Sequence, residues 1–299
     1  MKGHSSDITA SVKARLLNIS RASGTEHTAI LRRYAQERFL FRLSTTEHKR
    51  KLILKGALLY LVFRLDAFRP TKDIDLLGTS ISNDHDQVSE IVSDVACVAI
   101  KDGITFSLPT SVEDIMIANS VSGTRVQIPW NMGRTRGKLQ LDIGFGDIQV
   151  KGPLEMRFPT LLETEEPSVM SYSLETALAE KFQIIASLNY GTSRMKDFYD
   201  INQYCSQARF SSRELLASLE VTFGRRNTPL GELQTVFSER FINDDMKASQ
   251  WETFLARSRA SSKHDFRSVM RRIIDFVVPL MDTEKVADLT WSPEDWTWK

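Results

Sequence analysis

The chain has 299 residues, of which 41% are hydrophobic and 26% are charged, a composition typical of a globular protein with a buried core. Lysine and arginine number 39 against 38 acidic residues, which gives a net charge of +1. This balance argues against a globally basic nucleic-acid-binding protein, so any basic surface must be local.

Cysteine content and hydropathy indicate the compartment. Cys97 and Cys205 lie far apart in apolar segments, which favours buried thiols in a reducing environment over a disulfide framework. The first residues lack the apolar stretch of a signal peptide, and no apolar run reaches the ~18 residues of a membrane span. We therefore expect a soluble, cytoplasmic protein that does not bind a membrane.

The first half of the chain mixes helical and strand-like patterns. Helical periodicity covers residues 8–43, and a second amphipathic stretch, residues 82–103, predicts a helix that stops at Gly103. An apolar stretch at residues 57–65 predicts another helix directly after Gly56. Strand-like runs lie at residues 52–54, 72–77, 104–108, 114–118, 125–128 and 137–147.

The second half is predominantly helical. Residues 158–169, FPTLLETEEPSV, are acidic and contain two prolines, which is typical of a link between lobes. Beyond this link, periodicity predicts helices at residues 173–189, 193–208, 211–223 and 266–281. The predicted fold class is α+β, with strands and helices in an N-terminal lobe (1–155) and a helical C-terminal lobe (156–299).

Three aspartates lie on predicted strands among apolar neighbours. Asp73 and Asp75 occupy alternate positions and so share one strand face, while Asp142 lies on another strand. Carboxylates that converge from neighbouring strands suit a hard cation such as Mg²⁺. The alternative is that they face solvent, paired with Lys72 or Lys138.

Three more positions could meet an anion. At Gly56, a strand that enters a helix would leave backbone N–H groups pointing at a phosphate, although the glycine could simply form a turn. Lys181 lies at the centre of an apolar helical stripe, where an ammonium needs an anion unless it reaches solvent along the stripe edge. Asp197 follows a turn at Gly191; either the turn brings it beside Lys181, or it forms an ordinary ion pair with Arg194.

Taken together, four segments resemble the AbiEii/AbiGii-type nucleotidyltransferase toxins, a group that includes the MenT toxins. The segments are LKGALLYLVFR…TKDIDLL, KLQLDIGFGD, ETALAEKFQIIA and SRMKDFYDI, in the family's order within residues 52–201. The resemblance implies the DNA polymerase beta-like nucleotidyltransferase fold, with an NTP bound between a mixed-sheet lobe and a helical lobe. It also implies a toxin of an AbiE-like, type IV toxin–antitoxin system, paired with a cognate antitoxin protein.

The resemblance assigns the metal ligands. Asp73 and Asp75 match the family's D-x-D and would hold a catalytic Mg²⁺. Asp142 is similar to the superfamily's third carboxylate, which would be both a metal ligand and the base for an attacking hydroxyl.

The resemblance also assigns the nucleotide contacts. Lys55 and Gly56 would lie at the phosphates, and because Ala57 stands where the superfamily often has serine, only backbone donors remain there. Lys181 would neutralise the triphosphate, and Asp197 matches the family's last acidic position in the catalytic set.

The acceptor implied by the MenT-like relatives is the acceptor end of tRNA, whose modification stops translation. Basic runs at residues 48–51, 134–138 and 224–226 could follow an RNA backbone, or they could be solvated surface. Two other hypotheses remain open. Nucleotide transfer to a protein or small-molecule hydroxyl is one, and an NTP-binding regulatory module without turnover is the other.

Overall fold

The structure is a computed structural model that describes residues 3–66, 71–117, 121–258, 260, 262–281 and 288–299. It divides into two compact units. Unit 1 comprises Met1–Val62, Pro70–Gly146 and Pro153–Ser171, and unit 2 comprises Phe63–Arg69, Asp147–Gly152 and Tyr172–Lys299. Among the described helices, none combines the length and the apolar composition needed to cross a membrane.

The described part of unit 1 contains four α-helices: α1 (Gly3–Ser23), α2 (His27–Ser44), α3 (Leu59–Val62) and α4 (His85–Cys97). The helical stretch predicted at residues 8–43 is thus two helices, and Gly24 separates them with a φ of +66°. The helix predicted at residues 57–65 is much shorter, because a 3₁₀ turn occupies Gly56–Leu58 and α3 has only four residues.

Unit 1 is built on a mixed eight-stranded sheet in the order β3-β5-β6-β2-β1-β8-β7, with β4 also paired to β5. Its strands are β1 (Leu52–Lys55), β2 (Asp73–Gly78), β3 (Thr105–Phe106), β4 (Ser111–Ile117), β5 (Val121–Met132), β6 (Thr135–Phe145), β7 (Leu154–Arg157) and β8 (Ser168–Ser171). Strand β2 runs antiparallel to β1 and parallel to β6. The last residue of the run predicted at residues 114–118 lies outside the described residues.

The two faces of the central strands differ because side chains alternate along a strand. On β6, Leu139, Leu141 and Ile143 are fully buried, whereas the two positions between them are partly exposed. Ile74 and Leu76 bury the same face of β2. The predicted alternation is therefore present, and Asp73, Asp75 and Asp142 lie on the opposite, polar face.

A buried polar network holds α2 against the rest of unit 1. Arg42 donates a 2.7 Å hydrogen bond to Asp102. The backbone N–H of Leu161 donates to Glu37 at 2.7 Å, while the nearest atom of Arg33 lies 3.9 Å from this carboxylate. Burial raises the pKa of Glu37 to about 6, although the hydrogen bond from Leu161 opposes the shift.

The described part of unit 2 is mostly helical. Its helices are α5 (Leu174–Leu188), α6 (Met195–Gln207), α7 (Ser212–Arg225), α8 (Leu233–Val236), α9 (Glu239–Ile242), α10 (Asp245–Ser258) and α11 (Phe266–Met281). A short hairpin, β9 (Trp291–Ser292) with β10 (Thr297–Trp298), packs its tryptophans on α11. The ring of Trp298 stacks on Phe276 with centroids 5.4 Å apart, so the tryptophans cap the helices.

The division into units differs from the predicted boundary after residue 155. Strands β7 and β8 extend the sheet of unit 1 to Ser171, so the acidic FPTLLETEEPSV segment belongs to unit 1. In addition, two short segments of the first half, Phe63–Arg69 and Asp147–Gly152, belong to unit 2. Four-residue strands carry too little periodicity to be identified from sequence, because their pairing partners are distant along the chain.

Candidate functional site

The sheet of unit 1 gathers the three predicted carboxylates. In the β2–β6 pairing Asp75 lies opposite Asp142, and Asp73 lies opposite Gln140. One carboxylate oxygen from each of Asp73, Asp75 and Asp142 falls within 4.8 Å of the others. All three residues are partly exposed, so the cluster is accessible to solvent.

Two of these carboxylates, Asp75 and Asp142, belong to a charged row that crosses five strands. Residues directly opposite each other project from the same sheet face. Successive register pairs therefore place one row on the polar face, in the order Lys55, Asp75, Asp142, Arg125 and Glu113. The sequence identified Asp75 and Asp142 by their alternation, but it gave no sign that Arg125 lies beside them.

Arg125 fixes the orientation of Asp142. Its Nε donates to Asp142 Oδ1 at 2.8 Å and its Nη2 donates to Oδ2 at 2.7 Å, a two-pronged pairing. The hydrogen bond to Asp142 raises the pKa of Arg125. Gln140 Nε2 also donates to Asp142 Oδ1 at 3.0 Å, and Gln127 Nε2 donates to Gln140 Oε1 at 3.0 Å.

The hydrogen bonds to Asp142 leave part of the accepting capacity of its carboxylate unused. A carboxylate has about four lone-pair sites, two on each oxygen. Among the described residues, Oδ1 accepts two hydrogen bonds and Oδ2 accepts one. A lone pair of Oδ2 thus remains available for a metal ion or a proton.

Gly56 is required by its closeness to Asp75. Its φ is +70°, in the left-handed region, and a Cβ built on it would lie 2.0 Å from Asp75 Oδ2. Any side chain at residue 56 would displace this carboxylate. Because α3 is only four residues long, the structure supports this steric role rather than a long helix whose N-terminus faces phosphate.

The remaining site residues of unit 1 lie close by. Thr71 donates its hydroxyl to Asp73, and the side chain of Gln36 donates to the backbone carbonyl of Asp73 at 3.2 Å. Lys55, at the end of β1, is 6% exposed and lies on the same face as Asp75. These contacts hold the start of β2 in place.

Unit 2 brings together Lys181 and Asp197, as the sequence suggested. Lys181 Nζ lies 3.2 Å from Asp197 Oδ1, and Arg194 Nε lies 2.5 Å from Asp197 Oδ2. Burial by itself would raise the pKa of Asp197, but Lys181 and Arg194 outweigh it, and the pKa falls below its ordinary value. Asp197 thus meets both of the cations that the two sequence alternatives proposed.

Asp200 was not identified from the sequence. Its Oδ2 lies 2.6 Å from Lys181 Nζ, closer than Asp197, and its side chain is fully buried. The signal was present, because Asp197 and Asp200 are three residues apart and therefore share one helical face of α6.

A second charged network of unit 2 includes part of the basic run at residues 224–226. Arg226 donates to Asp147 at 2.9 Å and to Gln183 at 2.9 Å, and its side chain is only 6% exposed. Tyr172 donates its hydroxyl to Asp147 at 3.1 Å, and burial raises the pKa of this tyrosine well above its ordinary value. Arg226 is therefore neither of the two alternatives for the run 224–226, a contact with RNA or a solvated surface cation.

The donor set on the sheet fits a divalent cation. Three carboxylates within 4.8 Å of one another supply the hard oxygen ligands that Mg²⁺ and Mn²⁺ prefer. Like charges at this separation repel each other unless a cation lies among them. The cluster thus has the composition of a divalent-metal site.

One comparison with known proteins, the match to a family, agrees with this chemistry. Residues 38–272 match the family described as "Nucleotidyl transferase AbiEii toxin, Type IV TA system". No curated protein matches the chain.

Two solved structures from Helicobacter pylori are similar to it. JHP933 is 13% identical over 86% of this chain and 94% of its own, with a TM-score of 0.48. A protein described as a candidate nucleotidyltransferase is 14% identical over 85% of this chain and 98% of its own, with a TM-score of 0.44.

Proposed function

Because this chain belongs to the AbiEii family of nucleotidyl transferase toxins from type IV toxin–antitoxin systems, we propose that it transfers a nucleoside monophosphate from an NTP to the acceptor end of tRNA. Such a modification would block translation until the cognate antitoxin opposes it. The observation that carries this proposal is the cluster of Asp73, Asp75 and Asp142 on one face of the sheet.

Asp73, Asp75 and Asp142 are the residues that would hold Mg²⁺. When bound, the ion supplies positive charge that polarises the α-phosphate and favours ionisation of the attacking hydroxyl. The protein itself contributes position: register fixes Asp75 beside Asp142, and Arg125 prevents the Asp142 carboxylate from rotating.

The proposed reaction is an in-line displacement at the α-phosphate. The hydroxyl oxygen of the acceptor forms a bond to the α-phosphorus, and the bond between the α-phosphorus and the bridging oxygen to the β-phosphate breaks. Pyrophosphate leaves with that electron pair. We assign the hydroxyl proton to the carboxylate of Asp142, whose orientation Arg125 fixes.

The nucleotide contacts are also part of the proposal. Lys55, from the charged row, and the backbone at Gly56 would lie at the phosphates of the NTP. Lys181 would neutralise triphosphate charge, and Asp197 would hold the Lys181 ammonium in a fixed position. Asp200 supports the same ammonium at 2.6 Å.

The test is transfer of label from each of four α-labelled NTPs, with Mg²⁺ and either total tRNA or a protein extract as acceptor. We expect label at the tRNA end, its loss in Asp75→Asn, and its retention in Glu113→Gln, a matched control at the exposed end of the charged row. A tRNA labelled in this way should also fail to support cell-free translation.

Other outcomes would overturn the proposal. Label on a protein or a small molecule would assign another acceptor to the same chemistry. NTP binding without transfer to any acceptor would favour a regulatory module.

A further inference from the structure

The polar face that carries the carboxylates continues along β5 and β6. Side chains at every second residue of β6 share this face, so Asp142 and Gln140 are followed by Lys138 and Arg136. With a rise of about 3.3 Å per residue, Lys138 lies about 13 Å from Asp142 and Arg136 about 20 Å. The face therefore changes from acidic to basic with distance from the proposed reaction centre.

The residues of β5 opposite this track are uncharged beyond Arg125. Gln127 pairs with Gln140, Pro129 with Lys138, and Asn131 with Arg136. The track thus offers amide groups and cations along one line. This pattern suits a strand of nucleic acid, because its phosphates carry regularly spaced charges and its bases present polar edges.

The cations of this track are available to a ligand. Arg134, Arg136 and Lys138 are exposed, and no carboxylate in the described part of the chain lies within ion-pair distance of any of them. By contrast, in the other basic runs Lys49 is 2.6 Å from Glu155, and Arg226 is buried against Asp147. The run at residues 134–138 is thus the basic run in which every cation is exposed.

The track is also held rigidly. Ten register pairs join β5 to β6, and on the core face Trp130 packs over Gly137, where a Cβ would lie 2.2 Å from its ring. Leu139 and Leu141 anchor the same strand in the core. The positions of Arg136 and Lys138 relative to Asp142 are therefore fixed by the backbone of one strand.

We propose that this face of β6, from Asp142 through Lys138 to Arg136, together with Arg134 in the turn beyond it, binds the single-stranded end of the RNA acceptor. This inference rests on the proposed function and specifies where the acceptor lies. The terminal hydroxyl meets Asp142, and the preceding phosphates meet the cations in turn. A small molecule could not span about 20 Å of strand, whereas a linear polyanion uses all of it.

The test measures binding of a fluorescent RNA that ends in an unpaired acceptor strand, by anisotropy, without NTP and over a range of salt concentrations. The variant is Arg136→Gln/Lys138→Gln in the full chain. Its matched control is Arg267→Gln/Arg271→Gln, which removes two exposed cations from α11 of unit 2. Thermal unfolding of each variant verifies that it folds.

We expect the track variant to bind at least about tenfold more weakly and to lose about 1.4 from the slope of log K against log salt, since two phosphate contacts of a single strand disappear. The control should bind as the wild type does. In labelling assays the track variant should show a raised KM for RNA and a nearly unchanged kcat, because the carboxylates are untouched.

Three results separate failure of this inference from failure of the proposed function. Wild-type labelling of RNA with equal RNA affinity in the track variant would overturn the inference and leave the proposed function standing. Equal loss in the track and control variants would assign binding to general charge and would also overturn it. A wild type that neither binds nor labels RNA would overturn the proposed function and, with it, the inference.

Discussion

Each of the two units contains a charged cluster. Attraction between opposite charges forms the cluster of unit 2, whereas strand register forms the cluster of unit 1. In unit 2, Lys181 and Arg194 meet Asp197 and Asp200 at distances of 2.5–3.2 Å, so opposite charges attract one another into place. In unit 1, strand register brings together three like charges, at Asp73, Asp75 and Asp142, of which Asp142 is also paired with Arg125. An excess of gathered carboxylates indicates a cationic ligand, whereas the paired cluster of unit 2 also contributes to stability by itself.

The largest effect in a test of this comparison is expected from a substitution at Gly56. Gly56→Ala should lower the free energy of unfolding by about 3 kcal/mol, because the left-handed φ of +70° adds to the overlap with Asp75. Transfer activity should fall about a hundredfold as Asp75 moves. Urea unfolding and NTP labelling measure the two effects.

Gly24→Ala is the matched control for this change. Gly24 has a similar φ of +66°, but a Cβ at this residue would have no described atom within 4 Å of it. It should lose only about 1–2 kcal/mol and keep full activity. If both variants lose activity equally, the steric role of Gly56 is wrong.

The paired cluster can be tested at Asp197. Asp197→Asn should lower the free energy of unfolding by about 3 kcal/mol at neutral pH, because Lys181 and Arg194 lose a buried partner. The pKa of Asp197 is lowered in the folded protein, so this contribution is present above the ordinary value of 3.8 and is lost as the pH falls through the lowered value. The difference between the wild type and the variant should therefore shrink only below pH 3.8.

Glu220→Gln, an exposed carboxylate on α7, is the control and should change the free energy of unfolding by less than about 0.5 kcal/mol. An Asp197→Asn variant as stable as this control would show that the cluster of unit 2 contributes nothing to stability. Both measurements use urea unfolding at several pH values.

Glu37 sharpens the comparison by a smaller effect, as a buried carboxylate whose nearest Arg33 atom is 3.9 Å away. Its pKa rises from 4.5 to about 6 on folding. The contribution of the protonated carboxyl to the free energy of unfolding is therefore fully present below pH 4.5 and is lost as the pH rises through 6. Glu37→Gln stays neutral and should be more stable than the wild type by about 2 kcal/mol at pH 7.5. Below pH 4.5 the two should be equal.

Urea unfolding across pH 4–8 measures this effect, with the exposed Glu47→Gln as the control. A variant with no advantage at pH 7.5 would mean that Arg33, 3.9 Å away, compensates for the burial of Glu37.

Much of the scaffold could be predicted from local pattern. The helix predicted at residues 266–281 has the bounds of α11, and the alternation at residues 137–147 matches the two faces of β6. The short strands β7 and β8 and the helices α8 to α10 were not predicted. They have few residues or weak periodicity, and contacts distant in sequence decide their structure.

The sequence by itself determined that Asp73 and Asp75 share a strand face and that Lys181 needs an anion, because side-chain direction follows from the repeat of a strand or helix. The tertiary structure alone decided that Asp75 lies opposite Asp142, that Arg125 holds Asp142, and that Gly56 leaves room for Asp75. Register between strands joins residues as far apart as 75 and 142, and no local pattern encodes that pairing.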